Sequence, residues 1–365
     1  MSQFLKVLAH AHALEEVNIR INDHTLEVRP ELPQTLESLN SLRALSMSFN
    51  DGFSDAMEMT LRVHPLTKLH LEHVLGQAIC PTPDFLRGHS GSLTELTIHP
   101  VKLSALSSDH VQLPHLRRLD IRISYAEVDT ALLVCLFPHI AHLNLAEDLC
   151  LEAVPMDEVR ACNMLAQTKE GCSWPHLEVV SGNAWVIYAA ALTCKVVRLK
   201  MDVYVDSAED LDSLLSETRP CQVELRIHLL RFGPDILEQL LGQAPETVTD
   251  LVLNLTLYPG SDPAPERYLA ASRVLLDNLK LSRVEIHLTV SDGPFSRSQL
   301  KSVRHIEQLL QEVDVRSFLV SVVERLPTLS DALVLVKNNS TWRYRRSAGG
   351  DVLLERMAWL DPARW

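Results

Sequence analysis

The side chains best suited to chemistry in this sequence are its sixteen histidines, because imidazole can bind a metal or transfer a proton near neutral pH. The close pairs are His10-x-His12, His70-x-x-His73 and His139-x-x-His142. None of these pairs recruits a cysteine or carboxylate at ligand spacing, and positions three residues apart face opposite sides of a strand. The spacing therefore predicts surface or turn histidines, and neither a metal site nor a catalytic site.

The seven cysteines do not form a pattern with a known chemistry. Their number is odd, they are scattered, and no two are spaced C-x-x-C, so the sequence predicts neither a disulfide framework nor a zinc finger. Cys135 and Cys194 lie on apolar stripes and are expected to behave as small hydrophobic residues. The segment 88–92 contains neither G-x-S-x-G nor a phosphate-loop motif. We therefore expect no catalytic residues, no cofactor and no metal.

The charge balance argues against a further class of function. The chain of 365 residues has a formal net charge of −13, whereas general binders of the phosphate backbone carry a basic excess. The arginines of the segment 343–346 are expected to form a solvated face. No run approaches 18 apolar residues, and the first residues lack a secretory signal pattern. We expect no nucleic-acid partner, no membrane partner, and an intracellular location, cytoplasmic or nuclear.

A repeated strand unit is the element that must position any functional side chain. In its clearest copy, at residues 112–123, apolar and polar side chains alternate, which predicts a strand with one face in a core and the other in solvent. Similar units recur at a mean spacing of about 27 residues, within the range of leucine-rich repeats. They begin at Leu14, Leu42, Leu66, Leu93, Leu116, Ile140, Leu177, Val196, Gln222, Val248 and Leu281. The unit at Leu177 matches least well, because Gly182 stands at an apolar position.

Between the strand units the apolar spacing becomes helical, as the outer wall of a solenoid requires. The sequence predicts one long helix or two short ones over 298–324. The other predicted helices are 125–137 capped by Ser124, 208–217 capped by Asp206 or Ser207, one beginning at Pro234, and 265–279.

The composition divides the chain into three parts. Residues 1–290 are the predicted leucine-rich repeat array, residues 291–325 a helical cap, and residues 326–365 a C-terminal β-hairpin and tail. The hairpin is predicted from alternating side chains on either side of a Gly-Gly turn. The predicted fold class is α/β: a leucine-rich repeat solenoid, in which parallel strands with outer helices form an irregular horseshoe.

The L-x-x-L-x-L units, the helices between them and the Trp342 hairpin resemble the leucine-rich half of fungal F-box proteins over nearly the whole chain. In that family an N-terminal F-box binds a Skp-type adaptor of a cullin ubiquitin ligase, and the repeats hold the substrate. No F-box precedes Leu14, and the one similar fragment, 30–39, falls where an outer helix is expected. The family's asparagine after each strand is met only at Asn22 and Asn50, so we expect no regular asparagine ladder.

The outward strand positions are the candidate binding residues, because parallel stacking aligns them on the concave wall of a solenoid. A polar surface required for solubility explains most of them, while their mixed charges suit a protein partner better than a polyanion. The candidate partner-binding residues are Arg118, Asp120, Arg122, His142, Asn144, Lys200, Arg226 and Glu285. We expect the partner around the middle repeats.

The sequence leaves three functions open. The first is a noncatalytic protein-interaction scaffold of the F-box protein type without its adaptor-binding box. The second is a truncated substrate receptor of a cullin ubiquitin ligase, and only then is a Skp-type adaptor an expected partner. The third is an enzyme, which requires convergent titratable groups in a pocket that these residues do not assemble.

Overall fold

The computed structural model describes residues 7–8, 10–11, 13–21, 31–50, 65–74, 79, 83–103, 111–123, 125–147, 155–169, 171–203, 208–229, 234, 237, 240, 246–260, 264–277, 279–291, 293, 295–347 and 349–357. The chain forms two compact units, unit 1 from Met1 to Cys194 and unit 2 from Lys195 to Trp365. Both units combine strands with helices, which confirms the α/β class predicted from the sequence.

Unit 1 is built on parallel strands that follow one another in sequence order. These strands are β1 (Glu16–Ile21), β2 (Ala44–Phe49), β3 (Lys68–His73), β4 (Glu95–His99), β5 (Arg118–Ile123), β6 (His142–Glu147) and β7 (His176–Asn183). The helices are α1 (Glu31–Glu37), α2 (Pro83–His89), α3 (Thr130–Leu136), α4 (Met156–Gln167) and α5 (Ala184–Ala190). The parallel pairing predicted for the units at Leu93 and Leu116 is confirmed by β4 and β5.

The core of unit 1 is a stack of aliphatic layers. The register aligns Leu119 of β5 with Leu96 of β4 and Leu143 of β6, and all three side chains are buried. A single strand cannot bury its own apolar face, but each neighbour in the stack covers the next. Full burial of such a side chain contributes about 1.5–3 kcal/mol. The stacking therefore holds the opposite, polar face of each strand in a defined position.

A ladder of backbone carbonyls joins the first residues of neighbouring strands. The carbonyl of Thr94 accepts the amide hydrogens of Arg117 and Arg118, at 2.8 and 3.1 Å. Two consecutive amide hydrogens are likewise accepted by each of the carbonyls of Glu15, Arg43, Thr67, Arg117, Ala141, Cys221, Thr249 and Ser282. Side-chain hydroxyls strengthen this carbonyl ladder, as where Thr94 Oγ1 donates to the Thr67 carbonyl at 3.0 Å. It couples repeat to repeat where the sequence lacks an asparagine ladder.

Helix α4, in the long connection between β6 and β7, buries a polar face. Arg160, Asn163 and Gln167 are buried, whereas Met164 and Leu165 are exposed. The buried side chains donate to backbone carbonyls of Tyr188, Ala189, Ala190 and Ala191, at or just past the end of α5. Carbonyls at a helix end lack partners within the helix, so α4 satisfies groups that would otherwise be buried alone. The connection is thereby anchored to the segment that follows β7.

Unit 2 continues the alternation of strands and helices. Its strands are β8 (Lys195–Val203), β9 (Gln222–Leu229), β10 (Asp250–Leu257), β11 (Arg283–Val290), β12 (Asp331–Val336), β13 (Thr341–Arg346) and β14 (Val352–Met357). Its helices are α6 (Ala208–Thr218), α7 (Pro265–Leu276), α8 (Arg297–Glu312) and α9 (Val315–Arg325). Strands β8 to β12 pair in parallel, while β12, β13 and β14 pair antiparallel.

The C-terminal strands differ from the prediction in one respect. Strand β12 pairs in parallel with β11, in register from Arg283↔Asp331, so the parallel pairing continues beyond residue 290. Helices α8 and α9 therefore connect two parallel strands. The predicted hairpin is formed by β13 and β14, and its turn is closed where the Ser347 amide donates to the Asp351 carbonyl at 2.9 Å.

Helix α3 begins later than predicted. It starts at Thr130 and is capped by Asp129, whose carboxylate accepts from the Leu132 amide at 2.9 Å, while residues 125–127 form a 3-10 turn. Aspartate is a strong N-cap, and the later start turns a different set of side chains inward. The sequence pattern places Ala131, Leu132, Cys135 and Leu136 on the apolar stripe of this helix. Of these only Leu136 is buried, together with Leu133 and Val134, while the other three are half-exposed.

The other helix predictions have mixed outcomes. Helix α7 begins at Pro265 as predicted but ends at Leu276. Val274, which the apolar pattern of the sequence places on the inner side of this helix, is exposed. The segment 298–324 forms two helices, because Asp314 caps α9 through the Ser317 amide. The predicted caps Ser124, Asp206 and Ser207, and most of the segment after Pro234, lie outside the described residues.

Candidate functional site

Five of the predicted binding residues lie side by side in unit 1. Arg118, Asp120 and Arg122 occupy alternate positions of β5, on the face opposite the buried Leu119 and Ile121. The register places Arg118 beside His142 and Asp120 beside Asn144 of β6. We call the outward side of strands β4 to β7 the unit 1 face.

A chain of side-chain hydrogen bonds crosses the unit 1 face. His99 Nε2 and Asp120 Oδ1 are 2.7 Å apart, Asn144 Nδ2 donates to Asp120 Oδ1 at 2.8 Å, and Ser181 Oγ donates to Asn144 Oδ1 at 2.8 Å. The four residues come from four consecutive strands, so the chain fixes groups that are far apart in sequence. We call it the polar chain. Its members are partly buried, which makes the hydrogen bonds more stabilising than in open water.

Ser181 was not among the predicted binding residues, because β7 was the least convincing strand in the sequence. The structure explains its irregular pattern through Gly182, which has φ +131°. A Cβ at this position would lie 2.0 Å from the carbonyl oxygen of Leu145, so only glycine allows β7 to approach β6 this closely. The glycine at an apolar position was therefore the available signal for this close approach.

The charge on Asp120 is stabilised despite partial burial. Burial alone would raise the pKa of its carboxyl group, but the hydrogen bonds from His99 and Asn144 outweigh this effect, and the pKa is lowered. The nearby His70 ring lies 6.1 Å from the His99 ring. Burial and the neighbouring His99 lower the pKa of His70, against the opposing effect of Glu72 and Asp120. Asp120 is therefore negative and His70 is neutral at physiological pH.

The two arginines of β5 are less engaged than the polar chain. Arg118 is exposed and Arg122 is half-buried. Within the described part of the molecule, neither guanidinium has an ion pair or a side-chain hydrogen bond. Glu95, which stands beside Arg118 in the register, forms an ion pair with Lys68 at 2.9 Å. The unit 1 face therefore presents two cations, while the carboxylates of the neighbouring Glu95 and Asp120 are engaged with Lys68 and His99.

The remaining predicted residues, in unit 2, lie in ion pairs. Lys200 Nζ is 2.8 Å from Glu224 Oε2, and Arg226 lies 3.6 Å from Glu224 and 4.0 Å from Asp202. Glu285 pairs with Arg283 on the same strand. The register separates Glu285 from Glu224 by Val252, so these three predicted residues do not converge on one point.

The histidines and cysteines of the described residues were the candidates for metal binding. No group of three or more potential metal-ligating side chains occurs among them. The prediction that H-x-x-H residues face opposite sides is confirmed in β3, where His70 points outward and His73 is buried. The prediction of a surface or turn position is therefore wrong for His73, because its side of β3 faces the core. Burial raises the pKa of the Cys194 thiol to about 11, which favours the protonated thiol over the nucleophilic thiolate at neutral pH. Cys80 and Cys150 lie outside the described residues.

No protein-family model matches this chain, and no curated protein matches it either. Within the described ranges, no helix has the length and apolar content required to cross a membrane.

Proposed function

We propose that this chain is a leucine-rich repeat protein of the F-box protein type and that it serves as a noncatalytic scaffold, with a protein partner bound on the unit 1 face. The supporting observation is the combination of a fixed polar chain with Arg118 and Arg122, which have no ion pair among the described residues. Arginine is enriched at the centres of protein interfaces, because its planar group and apolar stem tolerate desolvation. A prearranged surface also loses little entropy on binding.

The experiment that tests this proposal is affinity capture followed by direct binding with the purified partner. The test variant is Arg118→Glu with Arg122→Glu. A matched control is Lys301→Glu with Arg304→Glu on α8, because both side chains are exposed and the change in net charge is the same. We expect the test variant to bind the partner at least about tenfold more weakly, and the control to bind normally.

Cross-linking of the purified complex locates the contact independently of the arginines. We expect cross-links from the partner to fall on strands β4 to β7. Cross-links confined to the outer helices, together with normal binding by the arginine variant, would contradict the proposed site. Thermal melting of both variants shows whether each is folded.

The related alternative is a substrate receptor of a cullin ubiquitin ligase. The F-box-like fragment 30–39 contains α1, in which Leu32 and Leu36 are buried, as is Leu39 beyond its end. These side chains are engaged in the core and are not free to contact an adaptor. We predict that the purified chain does not bind a Skp-type adaptor in a pull-down. An authentic F-box protein, which retains the adaptor under the same conditions, is the positive control. Tight binding would favour the receptor.

An enzyme is the alternative from a different class. His99 and Asp120 resemble the histidine base and the orienting carboxylate of a catalytic triad, with 2.7 Å between the imidazole nitrogen and the carboxylate oxygen. However, Asp120 also accepts from Asn144, and Asn144 accepts from Ser181. These groups satisfy one another instead of converging on a substrate, so we favour the scaffold.

A further inference from the structure

Arg118 and Arg122 define a spacing as well as a charge. They lie four residues apart on β5, so their Cα atoms are separated by about 13 Å at roughly 3.3 Å per residue. Asp120 lies between them on the same face. The strand therefore presents a row of charges in the order positive, negative, positive. A partner that complements this row must carry charges or donors at matching intervals.

The three positions of the row are not equally available. The two guanidinium groups have no carboxylate partner in the described ranges, whereas Asp120 accepts from two side chains. A carboxylate has about four lone-pair sites, so about two sites of Asp120 remain for an incoming donor. If the partner carried a carboxylate opposite Asp120, the two groups would repel each other, because Asp120 is ionised and is held in place by its hydrogen bonds.

We infer that the row selects an extended acidic segment of a protein partner, with carboxylates four residues apart and a neutral hydrogen-bond donor midway between them. This inference rests on the proposed function, since it names the partner chemistry of the same face. In an extended segment, residues i, i+2 and i+4 point to one side with the same interval as Arg118, Asp120 and Arg122. Each arginine can bind one carboxylate through two parallel hydrogen bonds.

The surroundings of the row favour a short acidic segment over a polyanion. Glu72, Glu95 and Asp120 lie on the outward positions of β3, β4 and β5. A nucleic acid carries a phosphate at every nucleotide and would bring several of them close to these carboxylates. The net charge of −13 opposes such a ligand further. Two isolated carboxylates avoid most of this repulsion.

Synthetic peptides test the spacing directly, with the full chain and fluorescence anisotropy at low salt. The matched peptide has the central sequence Asp-Ala-Ser-Ala-Asp. A second peptide of equal composition, Ala-Asp-Ser-Asp-Ala, brings the carboxylates closer, and a third, Asp-Ala-Asp-Ala-Asp, places an acid opposite Asp120. We expect the matched peptide to bind at least about fivefold more tightly than the other two, with affinity falling at high salt.

Two variants show whether these peptides use the arginines. Arg118→Glu with Arg122→Glu should abolish the preference for the matched peptide, and Lys301→Glu with Arg304→Glu should preserve it. Absence of binding, equal binding of the three peptides, or tighter binding of a single-stranded oligonucleotide would overturn the inference. Cross-links from a protein partner to β4–β7 would still support the scaffold in those cases, so the two proposals fail separately.

Discussion

In unit 2 several outward cations of the strands lie in ion pairs, among them Lys200 with Glu224 and Arg283 with Glu285. In unit 1, Arg118 and Arg122 stand on an equally alternating strand without such partners in the described part of the chain. Unit 1 also contains an ion pair, Lys68 with Glu95, and Arg198 of unit 2 donates to the neutral Gln222. The cations of β5 differ from both in having no side-chain partner among the described residues. The proposed function rests on this availability and not on the number of charges.

The register of neighbouring strands contributes to this difference. In unit 2 it places Lys200 opposite Glu224 and Asp202 opposite Arg226, so unlike charges meet. In unit 1 it places Arg122 opposite Ala146, and Arg118 between His142 and Glu95, whose carboxylate is paired with Lys68. A cross-strand pair of unlike charges contributes roughly 0.2–1 kcal/mol of stability. Arg118 and Arg122 of unit 1 make no such pair among the described residues.

The largest expected effects test whether the two cores are equivalent beneath these different faces. Leu119→Ala in unit 1 and Leu253→Ala in unit 2 each remove a fully buried side chain, so each should lower the free energy of unfolding by about 2–5 kcal/mol. Denaturant unfolding measures both. Leu165→Ala, at an exposed position of α4, is the control and should change little. An unchanged midpoint for Leu119→Ala would show that β5 is not part of a packed core.

Gly182→Ala should damage the unit 1 face selectively. The new Cβ would overlap the Leu145 carbonyl, which adds an overpacking cost of about 1–3 kcal/mol to the backbone strain. Gly171→Ala is the matched control, because it shares a positive φ of 77° but has open space around the new Cβ. We expect Gly182→Ala to be less stable than Gly171→Ala by at least the overpacking cost, because φ +131° is also less accessible to alanine than φ +77°. Equal stabilities in thermal unfolding would refute the close approach of β6 and β7.

Removing a cation should be costly in unit 2 and almost neutral in unit 1. Arg343 makes two hydrogen bonds with Asp331, at 3.0 and 2.6 Å, and both side chains are about three-quarters buried. Arg343→Ala should therefore lower the free energy of unfolding by about 1–2 kcal/mol. Arg118→Ala should change it by less than about 0.5 kcal/mol. If chemical denaturation gives the reverse order, the contrast between the two faces is wrong.

The pH dependence should be the smallest effect and should have the same sign in both units. Burial lowers the pKa of His70 in unit 1 and of His287 in unit 2. The unfolded chain then binds protons at higher pH than the folded one. The stability contributed by the neutral rings is complete above the unfolded pKa of about 6.5 and is lost as the pH falls through the lower folded pKa.

His287→Gln measures this contribution where burial is greater, since the His287 side chain is only 16% exposed. The variant should show a weaker fall of the unfolding free energy below about pH 6.5 than the natural chain. His70→Gln should act in the same direction and less strongly, because its ring is less buried. A steeper fall in either variant would contradict the assigned direction of the pKa shifts.

The strands could be predicted because each carries its own alternation, and β1 to β11 correspond to the eleven predicted units. Strand β12 lies in the segment predicted as the C-terminal hairpin and tail. The alternation of its side chains predicts a strand but does not show that it pairs with β11. The late start of α3 follows from the cap at Asp129, which the sequence does not distinguish from a cap at Ser124. The buried face of α4 is polar, so an apolar helical pattern does not reveal it. Its side chains are buried because they bind backbone carbonyls of a segment that is distant in sequence.

The candidate site was predictable only in part for the same reason. That Arg118, Asp120 and Arg122 share a face follows from alternation within one strand. The polar chain through His99, Asn144 and Ser181 depends on alignment between strands that are 21 to 37 residues apart, and such alignment is invisible in a single sequence. Whether an arginine is left without a partner depends on the same alignment.

The carbonyl ladder has a consequence for how such a chain can change over generations. Its contacts join the beginnings of adjacent strands whether these are 24 residues apart, as between Arg43 and Thr67, or 48 apart, as between Ser282 and Ser330. Its main acceptors are backbone atoms, which every residue type supplies. Insertions and deletions in the connections therefore leave the seam between repeats intact. A lineage can lengthen one loop to gain a new contact without having to rebuild the neighbouring repeats.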